Sequence, residues 1–180
     1  MPKTYTAAGS ATAGQVYTAS AHNVIVTDVN NFIVPPLVRA SRNAALAIPT
    51  ATDTYVTLNV EDIDTDGCFA ATSDTITIQT DGVYQISATA VFASNATGVR
   101  ALNVLRNATT FDLTKGIASA YTPVAGASLA VVLSCSTCFA MTAGDTLRMA
   151  VYQTSGGNLN VGDTNNRTTA LSAVWVGKTA

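Results

Sequence analysis

DGVYQISATAVFA, residues 81–93, alternates along its length: Tyr84, Ile86, Ala88, Ala90 and Phe92 fall on one side, Val83, Gln85, Ser87, Thr89 and Val91 on the other. Successive side chains point to opposite faces in an extended strand, so a period of two predicts a strand with one apolar face. The opposite face is largely polar, yet none of its residues is charged. A sheet face open to water usually carries Lys and Glu. One made of Ser, Thr, Ala and Gln suits a sheet that lies against an identical neighbour.

Outward from this strand, the text after Pro36 is β-like throughout. TYVTLNV (54–60) places Val56, Leu58 and Val60 together, and DTITIQT (74–80) does the same for Ile76 and Ile78. DTLRMAVYQ (145–153) sets Leu147, Met149 and Val151 against Arg148, Ala150 and Tyr152, and TTALSAVWVG (168–177) alternates Leu171, Ala173 and Trp175. Turn markers separate the runs: TDG twice, SNATG, TAGD, TSGGN and VGDTNN. Many short strands at regular spacing predict an antiparallel sandwich. The first 36 residues differ. Residues 1–18 read as an extended arm. From Ser20, placed as an N-cap, Ala21, Val24, Ile25, Asp28, Val29, Phe32 and Ile33 follow helical spacing until Pro35 and Pro36 stop it. The expected organisation is therefore an arm and short helix over 1–36 and one β-domain over 37–180. A helix this short is marginal alone, so it either packs on its own domain or uses Val24, Ile25, Val29, Phe32 and Ile33 to dock on a partner or to form an oligomer's stem, the reading taken here.

Composition narrows the partners. The 180 residues are 48% hydrophobic and 11% charged, the latter roughly half the usual share of charge. A surface so poor in charge guards weakly against association and is expected to be covered by other subunits. The net charge is −2, and Arg39 with Arg42 is the only basic pair, which argues against nucleic acid or an anionic membrane as partner. MPKTYTAAGS has no apolar core of a secretory signal, and no apolar run approaches the roughly 20 residues of a membrane span. A chain made and kept soluble is expected. Cys68, Cys135 and Cys138 are odd in number, which disfavours a disulfide framework. Cys135 and Cys138 lie three apart in the strand-like run SLAVVLSCSTCFAM (128–141), so their sulfurs should diverge to opposite faces.

The order of features resembles a known family. DGVYQISATAVF, RALNVLRN, FAMTAGDTLRMAV and TTALSAVWVG are similar to the trimeric jelly roll of complement-subcomponent globular heads and tumour necrosis factor, through Gly82 and Tyr84, Asn103 to Asn107, Gly144 and Asp145, and Ser172 and Ala173. The resemblance runs from about residue 37 to the end. It implies an all-β, antiparallel jelly-roll sandwich forming a homotrimer through strands 82–93, 127–141 and 168–177. On that mapping Met141, Phe139 and Cys135 turn to the core. Ser134, Ser136, Cys138 and Ala140 then face a neighbouring subunit, together with Gln85, Ser87 and Thr89. AGQVYTASAHNVIVTDVNNFIVPP (13–36) resembles N-terminal segments of bacteriophage virion proteins, and FASNATGVRALNVLRN (92–107) resembles phage-encoded versions of this jelly roll. Together these imply a virion protein assembled in the host cytoplasm, with major capsid or tail proteins as partners. It would be a capsid decoration or head-fibre protein, or else a tail-tip module that binds a bacterial surface receptor. Gly-X-Y repeats, common before the animal domains, are absent.

The chemistry-bearing residues are few. EDIDTDGCF (61–69) opens like a calcium loop, but position twelve counted from Asp62 is Ser73 instead of Glu, and strand signals flank it. A polar loop is expected there, with Asp62, Asp64 and Asp66, or Asp163 in NVGDTNN, as weak candidates for an oxygen-ligand cation site. His22, the only histidine, lies in the helix, remote in sequence from any Ser–Asp pair of the β-domain. No glycine-rich phosphate loop precedes a helix. No catalysis and no cofactor are expected.

Overall fold

The computed structural model describes residues 16, 18–124, 126, 129–162 and 168–179. Among these residues one helix, α1 (Ala19–Ile33), precedes twelve strands. They are β1 (Leu37–Ser41), β2 (Leu46–Ile48), β3 (Thr54–Tyr55), β4 (Val60–Asp64), β5 (Thr75–Thr77), β6 (Gly82–Phe92), β7 (Val99–Arg106), β8 (Gly116–Pro123), β9 (Val131–Met141), β10 (Thr146–Gln153), β11 (Leu159–Val161) and β12 (Ala170–Gly177). A single 3₁₀ turn, Leu113–Lys115, precedes β8.

All strand pairs are antiparallel. In the larger sheet β6 pairs β9 along one edge and β12 along the other; β12 continues to β1 and then β4, while the end of β6 meets β11, which pairs β2. In the smaller sheet β10 pairs β7, β7 pairs β8, and β3 and β5 share the far edge of β10. The two sheets close on an apolar core. Tyr84, Ile86, Ala88, Ala90 and Phe92 meet Leu102, Val104, Leu147, Met149 and Val151 across it. This is the jelly-roll sandwich, and the inward set of β6 is the one its alternation predicts.

Two elements depart from expectation. TYVTLNV is not one strand. The pairing breaks after Tyr55, is touched once at Leu58, and resumes in β4, although Val56 and Leu58 are fully buried. The acidic run expected to be a loop begins inside β4, an edge strand paired with β1 across a bulge at Arg39/Ala40. Acids are poor strand formers, but an edge strand leaves their carboxylates room to find partners.

The two ends of the sandwich are polar in different ways. At one end Arg100 and Gln153 lie opposite each other in register, and both are buried. Arg100 donates from Nη1 to the carbonyls of Thr97 and Val99, 2.9 Å each, and from Nη2 to Asn95 at 3.2 Å. Gln153 donates to Ile48 O and Gly157 O at 2.9 and 2.8 Å and accepts from Ser155 N at 2.6 Å. These two side chains staple the tip loops. Gly98 sits among them with φ +81°, and a Cβ there would stand 1.9 Å from Thr154 O, so only glycine fits.

At the other end, the Gly144–Asp145 turn is held by its carboxylate. Asp145 accepts from Thr142 N (2.8 Å), Asn107 Nδ2 (2.6 Å), and Arg106 Nε and Nη2 (3.1 and 2.8 Å). Burial pushes this carboxyl up, but the Thr142 amide, Asn107 and the Arg106 guanidinium outweigh it and hold it below the usual range. A depressed folded-state value stabilises the fold above the unfolded value of about 3.9 and loses that contribution as pH falls through the folded one. Asp145→Asn should therefore be less stable than wild type at neutral pH, with the gap closing below about pH 4. Urea unfolding followed by Trp175 fluorescence measures it. A gap independent of pH would show that the charge of Asp145 contributes nothing.

Candidate interface: the uncharged face of the larger sheet

Register builds this face row by row. In β9, Leu133 and Met141 turn to the core with Cys135 and Phe139 half-buried beside them, while Val132, Ser134, Ser136, Cys138 and Ala140 are exposed. Directly opposite on β6 stand Val91, Thr89, Ser87, Gln85 and Val83 respectively. Ser172 of β12 lies opposite Ser87, and Val174 opposite Gln85. Arg39 of β1 lies opposite Ser172, and Ile63 of β4 opposite Arg39. All seven sequence-derived face residues, Gln85, Ser87, Thr89, Ser134, Ser136, Cys138 and Ala140, thus share one side of two adjacent strands.

The polar groups of this face bond to one another sideways. The Ser87 and Ser172 hydroxyls are 2.8 Å apart, those of Thr89 and Ser134 3.0 Å, and the Cys138 thiol donates to Gln85 Oε1 at 2.9 Å. This matters energetically, because a polar group loses about 1–3 kcal/mol when buried without a partner. Groups already paired within the sheet can be covered by another surface at much smaller cost. Val132, Val176 and Ile63 add exposed apolar area around them. On β6, β9 and β12 the face carries no Asp, Glu, Lys, Arg or His. Its charge lies at the β1–β4 margin, where Arg39 pairs with Asp62.

The acidic residues do not converge. Asp62 turns to Arg39. Asp64 is wrapped by three backbone amides, from Asp66 N (3.1 Å), Gly67 N (2.8 Å) and Phe69 N (2.8 Å). Asp66 is buried and accepts from Thr80 Oγ1 at 2.7 Å. Asp163 lies outside the described residues. Among the described residues no three His, Cys, Asp or Glu side chains gather as metal ligands. The cysteines separate as strand geometry requires: Cys135 lies half-buried on the inward side and Cys138 outward. Burial pushes the Cys68 thiol up to about 12 and that of Cys135 to about 11, so both are protonated at neutral pH.

The helix carries a second exposed surface, with two corrections. Its cap is Thr18, two residues before the expected Ser20. The Thr18 hydroxyl accepts from Ala21 N at 3.2 Å and its carbonyl from His22 N at 3.0 Å. Among the apolar candidates, Ile25, Val29, Phe32 and Ile33 are exposed, joined by Val26; Val24 is half-buried, about 100° of helix turn from Ile25. Phe32 also meets the Trp175 ring edge-on at 5.8 Å. Below it the Thr65 hydroxyl donates to Pro35 O (2.7 Å) and accepts from Leu37 N (2.9 Å), and Trp175 N donates to Pro36 O (2.9 Å), fixing the proline break to the sheet. Residues 1–15 and 17 of the expected arm lie outside the described residues. No helix of the described residues is long and apolar enough to cross a membrane.

No protein-family model matches the chain, and no curated protein matches it in sequence. Solved structures do share its fold. Murine APRIL superposes with a TM-score of 0.60 at 11% identity, covering 78% of this chain and 98% of that one. The globular domain of zebrafish complement 1qA gives 0.55 at 16% identity, covering 80% and 99%. Eiger TNF from S. frugiperda gives 0.56 at 12%, covering 81% and 96%. The chain therefore has the jelly roll of tumour necrosis factor and complement heads, as its ordered motifs imply.

Proposed function

We propose that this chain is a non-enzymatic structural protein of a bacteriophage particle, a homotrimeric capsid decoration or head-fibre protein anchored by its N-terminal segment. The observation that carries the trimer is the uncharged face of β9, β6 and β12, whose hydroxyls are paired within the sheet and ready to be covered. Its position on a jelly-roll sheet agrees with the trimeric family that the sequence resembles. The virion setting is supported by the resemblance of residues 13–36 and 92–107 to phage proteins. In this reading the helix stripe of Ile25, Val26, Val29, Phe32 and Ile33 docks on major capsid or tail proteins, with 1–36 as the anchor and 37–180 as the trimerising domain. Partner contact also explains how so short and exposed a helix is maintained.

A second reading, a tail-tip module that recognises a host-surface glycan or protein, is favoured by the tip loops. Arg100 and Gln153 hold loops 94–98 and 154–157 rigidly, as a recognition surface requires. Val29→Asp with Phe32→Asp should abolish incorporation into particles while leaving the β-domain folded. Immunogold labelling of assembled particles checks this and separates head from tail. Incorporation at the wild-type level would refute the docking role of the stripe.

A further inference from the structure

We propose that a cleft at the edge between the two sheets binds a sugar acid, a pyranose ring bearing a carboxylate. The cleft has a volume of about 270 Å³ and opens between the 3₁₀ turn leading into β8 and the neighbouring strand β9. Its lining mixes two chemistries, apolar from Phe139 and Ile117 and cationic from Arg106 and Lys115.

Arg106 is positioned before any ligand arrives. Its guanidinium carbon lies 5.5 Å from the centroid of the Phe139 ring, within the range of a cation–π contact. Asp145 takes its Nε and Nη2. Nη1 has no protein acceptor among the described residues, so the guanidinium retains a free edge suited to a two-oxygen acceptor. Asn107 supports the arrangement: its Nδ2 donates to Asp145 and its Oδ1 accepts from Thr146 N at 2.8 Å, in a left-handed backbone conformation with φ 53°. Asp145 offsets one charge. Lys115 supplies a second, exposed and without an ion-pair partner among the described residues. The nearby Asp112 carboxylate accepts from the Thr114 hydroxyl at 2.7 Å and amide at 2.9 Å, and these bonds, with a smaller contribution from the charge of Lys115, hold it below the usual carboxylate range.

The cleft lining therefore presents two cations and no carboxylate beside an aromatic ring. A free phosphate satisfies the charge but leaves the apolar wall unused. A neutral sugar stacks on Phe139 but leaves Lys115 and the Arg106 edge without an anion. A pyranose carboxylate answers both, with its C–H groups against Phe139 and Ile117 and its carboxylate on the cations. This assignment does not depend on the virion reading or on the oligomeric state.

The test is calorimetric titration of the full chain with glucuronate, glucose and inorganic phosphate. Glucuronate should bind about tenfold or more tighter than either of the others, the difference one well-placed ion pair with ring stacking supplies. Lys115→Glu reverses an exposed charge that makes no ion pair among the described residues, though it lies near Asp112, so it should weaken glucuronate about tenfold while the protein stays folded. Arg106→Lys keeps the charge but loses the fork, and should weaken it similarly. Phosphate or glucose binding as tightly as glucuronate, no glucuronate binding at millimolar concentration, or a Lys115→Glu variant that binds like wild type would each overturn the proposal.

Discussion

Replacing Arg100 with alanine should cost about 3–4 kcal/mol, lowering the thermal midpoint by roughly 6–16 °C for a chain of this size. The side chain is fully buried, and the carbonyls of Asn95, Thr97 and Val99 depend on it. No carboxylate pairs with it among the described residues. Two effects oppose each other. Burying an unpaired cation is costly, and that desolvation holds its pKa below the usual arginine value. Removing it, however, strips donors from three carbonyls and leaves a void where one of the largest fully buried side chains among the described residues stood. The second effect dominates if the loop cannot open to water, and Gly98 packed onto Thr154 O restrains it. Arg100→Met separates the contributions, because it refills much of the volume and offers no donors. Urea unfolding of both variants measures the difference. An Arg100→Met protein as stable as wild type would mean that the carbonyl bonds no more than offset the cost of burying the cation, so that the residue contributes by its volume alone.

How far the sequence disclosed this molecule depends on where each signal lay. β6, β10 and β12 were legible because apolar residues recur at period two over a long run, and each inward set matches the buried set. β8 was not. GIASAYTP offers Ala, Ser and Thr with no apolar alternation, and it is a strand because β7 pairs it on one side. β1, β2 and β11 are short, and their pairing partners lie far away in the chain, so local pattern could not select them. β4 was misread for the opposite reason. Its acids argue for a loop, but Arg39 takes Asp62 and three amides take Asp64, which outweighs the propensity. In the helix, Val24 and Val26 flank Ile25, and only the true phase places Val26 with Val29 and Ile33. The uncharged face was readable as composition on two strands; its sideways hydrogen bonds were not, since they depend on register. The sugar-acid cleft had no sequence signal. Arg106, Lys115 and Phe139 belong to separate elements, and only the topology brings them together.

Glutamate at position 87 should leave the protein monomeric at micromolar concentration. Ser87 sits at the middle of a row, opposite Ser136 on one side and Ser172 on the other, and bonds to the Ser172 hydroxyl. Ser87→Glu breaks that pair and puts a carboxylate where β6, β9 and β12 supply no cation. Arg39, the nearest charge in the row, is already paired with Asp62. A covered carboxylate without a partner costs several kcal/mol after relaxation, and three copies of the change would act in one assembly. On the exposed face of a lone chain the same substitution should cost within about 0.5 kcal/mol, so the variant folds and only association fails. Ser119→Glu provides the control, exposed on β8 of the other sheet and opposite Asn103. Light scattering should give three times the 18.5 kDa chain mass for wild type and for Ser119→Glu, and the single-chain mass for Ser87→Glu. A monomeric wild type, or a Ser87→Glu trimer of undiminished stability, would mean that the paired hydroxyls face water and that oligomerisation, if any, uses another surface.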